Sequence, residues 1–300
     1  MNPKDDWDLD KIRLEYTLQT GKISYILLSS NQSKLDLHDE SIVSIDLSPL
    51  SQLSNLSWIS FSRNHLKHIN LNPLRECTNL VWLDLSHNKI TNINLEELNE
   101  NSHIERLSLS YNPLNTINLE PLSFWPSLKT LRLTKIQLQT IDLEPLNTST
   151  NLKELSLAFN QFNHVDLSPL SNCNNLEILS LNRNHISRID LTPLSSCHNL
   201  RTLNLSDNQI QIINLNPLKD CTNLYSIILH TNKLTEINLT PLSGLSYLKG
   251  LDLSNNWLQI IDLRPLKQGP TMDEIKLFGN PLKDILLISN VTYFGLKLKI

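Results

Sequence analysis

The chain has 300 residues, of which 19% are charged and 40% hydrophobic, with a formal net charge of -4 at pH 7. That balance argues against a nucleic-acid binder, since no basic excess is available for phosphates. No apolar run reaches the roughly 20 residues that a membrane-spanning helix needs, so a membrane is not expected as a partner.

The chain opens Met1-Asn2-Pro3-Lys4-Asp5-Asp6, without the basic segment and apolar core of a secretory signal. Residues 5–20 begin with Asp5, Asp6, Asp8 and Asp10 and stop before Gly21, as a capping helix would. Ile12, Leu14, Tyr16 and Leu18 alternate, however, and a hairpin strand is the alternative. Residues 23–28 (ISYILL) read as a strand lying antiparallel to the first repeat strand. Residues 1–31 are therefore expected to be an N-terminal cap, helix or hairpin.

Residues 32–288 then run through eleven copies of a 24-residue repeat without insertion or deletion. A proline column marks the period at Pro49, Pro73, Pro121, Pro145, Pro169, Pro193, Pro217, Pro241 and Pro265, with Glu97 replacing one member. An asparagine column marks it again at Asn64, Asn88, Asn112, Asn160, Asn184, Asn208, Asn232, Asn256 and Asn280. Glu40 and Ile136 interrupt that second column. A constant period of this length means a solenoid, because each repeat can bury its apolar face only against its neighbours. Length alone suggests two domains, but the unbroken array argues for one elongated domain.

Within each repeat a short strand is expected where Leu179 and Leu181 flank Ser180. An isoleucine column, including Ile45, Ile117, Ile189 and Ile261, supplies further inward positions. Asparagine offers a donor and an acceptor on one short side chain, which suits bonds to the turn backbone of its own repeat and the next. Ile136 is expected to leave a gap in that ladder and a locally weaker repeat. Ser48-Pro49 and Thr192-Pro193 read as a helix cap followed by proline at the first helical position, with space for about one 3₁₀ turn. Cys77, Cys173, Cys197 and Cys221 share one slot, which Trp125 and Ser149 also occupy. Parallel stacked side chains meet disulfide geometry poorly, so buried free thiols and a cytoplasmic location are expected. Residues 289–300 break the period and are expected to form a C-terminal cap.

The string L-x-x-L-x-L-x-x-N-x-L/I, as in LEILSLNRNHISRIDLTPLSSCHN (176–199), closely resembles the leucine-rich-repeat family, in its 24-residue prokaryotic-type form. The resemblance implies an α/β fold: a right-handed curved solenoid with a parallel sheet on the concave face and short 3₁₀ or extended convex segments. It also implies a protein-binding module, since members of the family mostly bind proteins.

Outward strand positions make three columns on that sheet. One runs Lys34, Trp58, Trp82, Arg106, Thr130, Glu154, Ile178, and the next Asp36, Ser60, Asp84, Ser108, Arg132, Ser156, Ser180. The third runs Asp39, Arg63, His87, Tyr111, Lys135, Phe159, Arg183. Tryptophan, tyrosine and arginine dominate binding hot spots. Trp58, Trp82, Arg106, Tyr111, Arg132 and Phe159 are the expected anchors, with Arg63, Lys135 and Arg183 steering a protein partner of acidic surface. Phosphate loops, H-E-x-x-H and paired-cysteine zinc spacings are missing, so neither catalysis, a cofactor nor a metal is expected. Stacked Asp142, Asp166 and Asp190 read as a solvated face rather than a cation site. The expectation is a monomeric, non-catalytic interaction module. The alternatives are a recognition domain of a larger signalling enzyme system, linked to a GTPase or to ubiquitin, and a carbohydrate sensor using Trp58 and Trp82.

Overall fold

The computed structural model describes residues 11–267, 272–286 and 297–299. They fall into two compact units, Met1–Gln137 and Leu138–Ile300.

The first unit begins with a hairpin, β1 (Lys11–Leu18) antiparallel to β2 (Ile23–Ser29). The alternation of Ile12, Leu14, Tyr16 and Leu18 wins over the capping-helix reading, and Leu14 is fully buried. Residues 5–10 lie outside the described residues. The expected pairing of 23–28 with the first repeat strand is corrected. β2 folds back on β1, whose other edge pairs with β4 (Ile42–Ile45) beyond the first repeat strand, β3 (Lys34–Asp36). The reason is local: Gly21, at φ 82°, lets the chain reverse between Leu18 and Lys22, so the nearest strand is captured first.

From β3 onward the sheet of this unit is parallel. It adds β5 (Trp58–Ser60), β6 (Trp82–Asp84), β7 (Arg106–Ser108) and β8 (Thr130–Arg132). Partners are equivalent repeat positions, Lys34 with Trp58, Trp82 with Arg106, Arg106 with Thr130. Repeats of equal length leave no register to slip, and the central residues Leu35, Ile59, Leu83, Leu107 and Leu131 point into the core. The second unit repeats this with β9 (Glu154–Ser156), β10 (Ile178–Ser180), β11 (Thr202–Asn204), β12 (Ser226–Ile228) and β13 (Gly250–Asp252). β14 (Ile260–Asp262) forms a separate parallel pair with β16 (Asp284–Leu286), while β15 (Glu274–Lys276) continues the main sheet from β13. β17 (Lys297–Lys299) pairs with β15. Most of the expected C-terminal cap, residues 289–296 and 300, lies outside the described residues.

The asparagine ladder works with the preceding coil, not the next. Asn208 accepts the N–H of Ile186 at 3.0 Å and donates to the carbonyls of Leu181 and Leu205 at 3.0 and 3.1 Å. Where the asparagine is missing, the backbone responds. Ser41 follows Glu40 at φ 59°, and Gln137 follows Ile136 at φ 68°. Asn115 also turns left-handed and gives its N–H to the carbonyl of Ile136 at 2.9 Å. Main chain thus supplies one bond between coils beside Ile136, whose own side chain is fully buried.

Each convex segment is a 3₁₀ turn such as Ser48–Gln52 or Thr192–Ser196. The cap comes from elsewhere than expected. Asp46 and Asp190, two residues upstream, accept the N–H of Ser48 and Thr192 at 3.0 and 2.9 Å. Serine or threonine before proline cannot cap, because it already stands inside the turn. The isoleucine column is half-buried over most of its length, Val165, Ile213 and Ile261 being the fully buried members.

The cysteine slot is a donor position. All four thiols are buried and free. Cys77 and Cys221 lie 3.4 and 3.5 Å from the carbonyls of Leu50 and Leu194 in the preceding coil. In the same slot Asn101 donates to Leu74 at 3.0 Å and the Trp125 indole to Leu98 at 3.2 Å. Trp125 is thus more than a packing substitution. Burial pushes the thiol of Cys173 up to about 12 and that of Cys197 to about 11, so neither ionises at neutral pH.

Candidate functional site

In the first unit, in-register parallel strands bring side chains 24 residues apart to neighbouring places, roughly 4.8 Å from strand to strand. Trp58 and Trp82 meet edge to face at 5.0 Å, with ring planes at 87°. Lys34 caps this pair at one end, its Nζ 4.1 Å from the Trp58 ring, and the Arg106 guanidinium lies 5.6 Å from the Trp82 ring. The result is a four-residue row, an edge-to-face pair of rings with a cation against each outer ring. Both indoles remain half-buried, and Arg106 and Arg132 are exposed.

The third column, set by the repeat, stands on a backbone geometry that the repeat pattern alone does not disclose. Asp39, Arg63, His87, Tyr111 and Lys135 all have positive φ, from 55° to 60°. Four of them, Asp39, Arg63, His87 and Tyr111, turn their N–H to the next coil, as Arg63 does to Ser86 at 2.9 Å and Tyr111 to Thr134 at 2.7 Å. The imidazole of His87 stacks on Tyr111 at 4.1 Å and 10°, and Lys135 Nζ stands 5.5 Å from the Tyr111 ring. Burial, and then the charge of Arg63, hold His87 below its ordinary value of 6.5, which favours the neutral ring. A neutral imidazole can stack without adding a fifth positive charge beside Arg63, Arg106, Arg132 and Lys135. Of the carboxylates at outward positions of these coils, Asp36, Asp39 and Asp84, Asp36 pairs with Lys34 at 3.5 Å and Asp84 accepts the N–H of Ser86 at 2.9 Å. Sequence reasoning placed His87 and Lys34 in the right columns but left them out of the anchors; their stacking on aromatic neighbours 24 residues away was the available signal.

Of the nine expected site residues, Trp58, Arg63, Trp82, Arg106, Tyr111, Arg132 and Lys135 lie on the first unit. Phe159 and Arg183 lie on the second, where the guanidinium covers the Phe159 ring at 4.6 Å. Both again have positive φ, 58° and 56°. Arg183 also faces Asp207 at 3.7 Å, which His230 approaches at 3.9 Å, so its charge is partly answered within its own unit. Trp257, also on the second unit, is 53% exposed.

Among the described residues no cluster of three or more His, Cys, Asp or Glu side chains could hold a metal ion. Asp142, Asp166 and Asp190 are instead used in turns, each accepting the N–H two residues on at 2.9 Å. Among the described residues no helix is long and apolar enough to cross a membrane.

Comparison with known proteins agrees with this geometry. The family model described as leucine rich repeat matches residues 30–90, 78–138, 150–210 and 222–282. A search of curated proteins by sequence returns no match. Among solved structures, a leucine-rich-repeat protein of Leptospira interrogans superimposes with a TM-score of 0.76 at 25% identity, over 86% of this chain and 63% of that one. The present chain thus spans less than two thirds of that relative's length. An internalin, InlF, of Listeria monocytogenes gives 0.64 at 22% identity, over 91% of this chain and 89% of its own. The functional domain of InlJ from the same species, described as including a cysteine ladder, gives 0.60 at 21% identity, over 91% of this chain and 66% of that one. With the family model covering well over half of the sequence, and with strands, asparagine ladder and 3₁₀ turns recurring at its period, the chain belongs to the leucine-rich repeat family.

Proposed function

We propose that the chain is a non-catalytic interaction module that binds a protein of acidic surface through the parallel-sheet face of its first unit. The observation that carries this reading is the Lys34–Trp58–Trp82–Arg106 stack beside the His87–Tyr111–Lys135 stack. Aromatic rings already fixed by their neighbours lose little freedom when a partner docks, so contact area converts to affinity with a smaller entropic loss. Arg63, Arg106, Arg132 and Lys135 surround those rings and would raise the association rate of a negatively charged partner. Phe159 with Arg183 repeats the same pairing on the second unit. The family resemblance supports the protein-binding class, and the four free, buried thiols support a reducing, cytoplasmic setting.

The test is a pull-down from cytosolic extract with quantitative mass spectrometry, comparing wild type with the triple variant Trp58→Ala, Trp82→Ala, Arg106→Glu. Circular dichroism first establishes that the variant keeps its fold. Binding of an acidic protein that disappears in the variant, and weakens as salt rises, is the expected result. Equal capture by both proteins, or capture indifferent to salt, would remove this face from the function.

A further inference from the structure

Between its two columns of large side chains, the main sheet of the first unit carries small ones. One coil reads Trp58, Ser60, Ser62, Arg63 along its outward positions, and another reads Arg106, Ser108, Ser110, Tyr111. The residues between them, such as Phe61 and Leu109, are fully buried on the core side. Ser60, Ser86, Ser108 and Ser110 face away from the core and are nevertheless buried, because larger side chains stand on either side. The face is therefore a trough with a floor two small side chains wide. Alternate residues of a strand lie roughly 7 Å apart, which is narrower than an α-helix of about 10–12 Å and sufficient for one extended chain.

The floor is not fully satisfied from within. Ser60 and Ser62 bond to each other at 3.1 Å, and Ser110 accepts the N–H of Thr134 at 3.2 Å. The hydroxyls of Ser86 and Ser108 have no partner among the described residues, although each residue is only 8% exposed. Enclosed hydroxyls are costly to leave unpaired, and these two can be reached only from the trough. Strand register fixes what surrounds Ser108. Arg132 stands beside it in the next strand, and Arg106 precedes it by two residues on the same face. On its other side is Asp84, whose carboxylate is engaged by the N–H of Ser86 at 2.9 Å. A group that meets a hydroxyl donor between two guanidinium groups must accept hydrogen bonds and carry negative charge, as a carboxylate does.

We infer that the trough takes an extended acidic segment of a protein, with a carboxylate seated on the Ser108 hydroxyl between Arg106 and Arg132, and a main-chain carbonyl of the segment accepting from Ser86. The inference rests on the proposed use of this face and narrows it: the partner offers one strand-like stretch, not a helix or a broad folded surface. From the coil of Trp58 to that of Arg132 the trough crosses three strand spacings, roughly 14 Å, which is about four residues of extended chain.

Fluorescence anisotropy tests it with a labelled ten-residue peptide of alternating glutamate and proline, a sequence that stays extended and cannot form a helix. The proteins are wild type, Ser108→Val, Ser108→Thr and Arg106→Glu, and melting curves verify that each is folded. Wild type should bind the peptide, and Ser108→Val should weaken binding at least about tenfold. Ser108→Thr keeps the hydroxyl and should stay within about threefold of wild type. If Ser108→Val does not fold, Ser108→Ala takes its place with the same expectation. Binding lost in Arg106→Glu but equal in wild type and Ser108→Val overturns the seat at Ser108 and leaves the face in use. A wild type indifferent to the peptide at millimolar concentration also overturns the inference, and the pull-down then decides separately whether this face meets a folded acidic surface.

Discussion

The carboxylate of Glu97 accepts the main-chain N–H of Leu71 at 2.6 Å, across to the preceding coil. The residue that interrupts the proline column thus replaces a conformational restraint with a bond between coils. Leu71 is the residue that opens its own 3₁₀ turn, and its N–H has no partner within that turn. Glu97→Ala should lower the unfolding free energy by about 1–2 kcal/mol, the scale of a half-buried bond to a charged acceptor. Urea denaturation of the two proteins measures it, and an unchanged midpoint would show the bond to contribute nothing.

Asn184 shows what a rung of the asparagine ladder supports. It accepts the N–H of Phe162 at 3.2 Å and donates to the carbonyls of Leu157 and Leu181 at 3.1 and 3.0 Å. Asn184→Ala strips buried backbone groups of their partner, and should cost about 3 kcal/mol or more. Asn184→Asp should cost comparably, since a buried carboxylate cannot donate to two carbonyls. Thermal unfolding followed by circular dichroism is sufficient to detect either.

Ser149 occupies the cysteine slot with a fully buried hydroxyl that has no hydrogen-bond partner. Cys173, Cys197 and Cys221 fill the same slot in the next three coils. Ser149→Cys should stabilise by about 1 kcal/mol, because the thiol is less costly to bury. A lower melting temperature under reducing conditions would contradict this.

Acid should weaken the convex turns, and the sign follows from the aspartates. Hydrogen bonding from the Ser168 side chain, then its backbone, holds Asp166 below the ordinary 3.8, and Thr192 does the same for Asp190. A depressed folded value means stability fully present above the ordinary value and lost as pH falls through the folded one. Asn214 and Asn238 make the same turn with a neutral amide, accepting N–H groups at 3.0 Å. Asp166→Asn with Asp190→Asn should therefore retain the fold and flatten the loss of stability below about pH 4. Denaturation midpoints at neutral and acid pH provide the comparison, and an equal acid loss in both proteins would refute it.

The repeat made strand, ladder and turn legible because identical coils can stack in only one register, as Trp58 opposite Trp82 illustrates. The columns that hold the candidate site followed from the same arithmetic. What the sequence hid lies in the choice between partners of similar chemistry. Ser48 and Asp46 are both good caps, and only the position of the turn start decides that Asp46 serves. The side chain of Glu97 reaches back to Leu71 rather than to solvent, a matter of distance and not of pattern. The hairpin over residues 11–29 was ambiguous because one acidic run and one alternating run overlap there, and pairing with two strands tips the balance.

The left-handed column has a bearing on how such a surface can change. From Asp39 to Asn255 every member has φ between 53° and 60°, and Gly279 follows at 73°. One member, Thr231, is β-branched. Valine or isoleucine would be strained at these places, whereas the two strand columns accept either freely. New binding preferences can thus arise with little loss of stability at Trp58 or Arg106, but at Arg63, Tyr111 or Lys135 only within an alphabet of unbranched, aromatic or amide side chains. A library built to redirect the recognition face should be randomised by column under that restriction, and it should retain more folded members than one randomised uniformly.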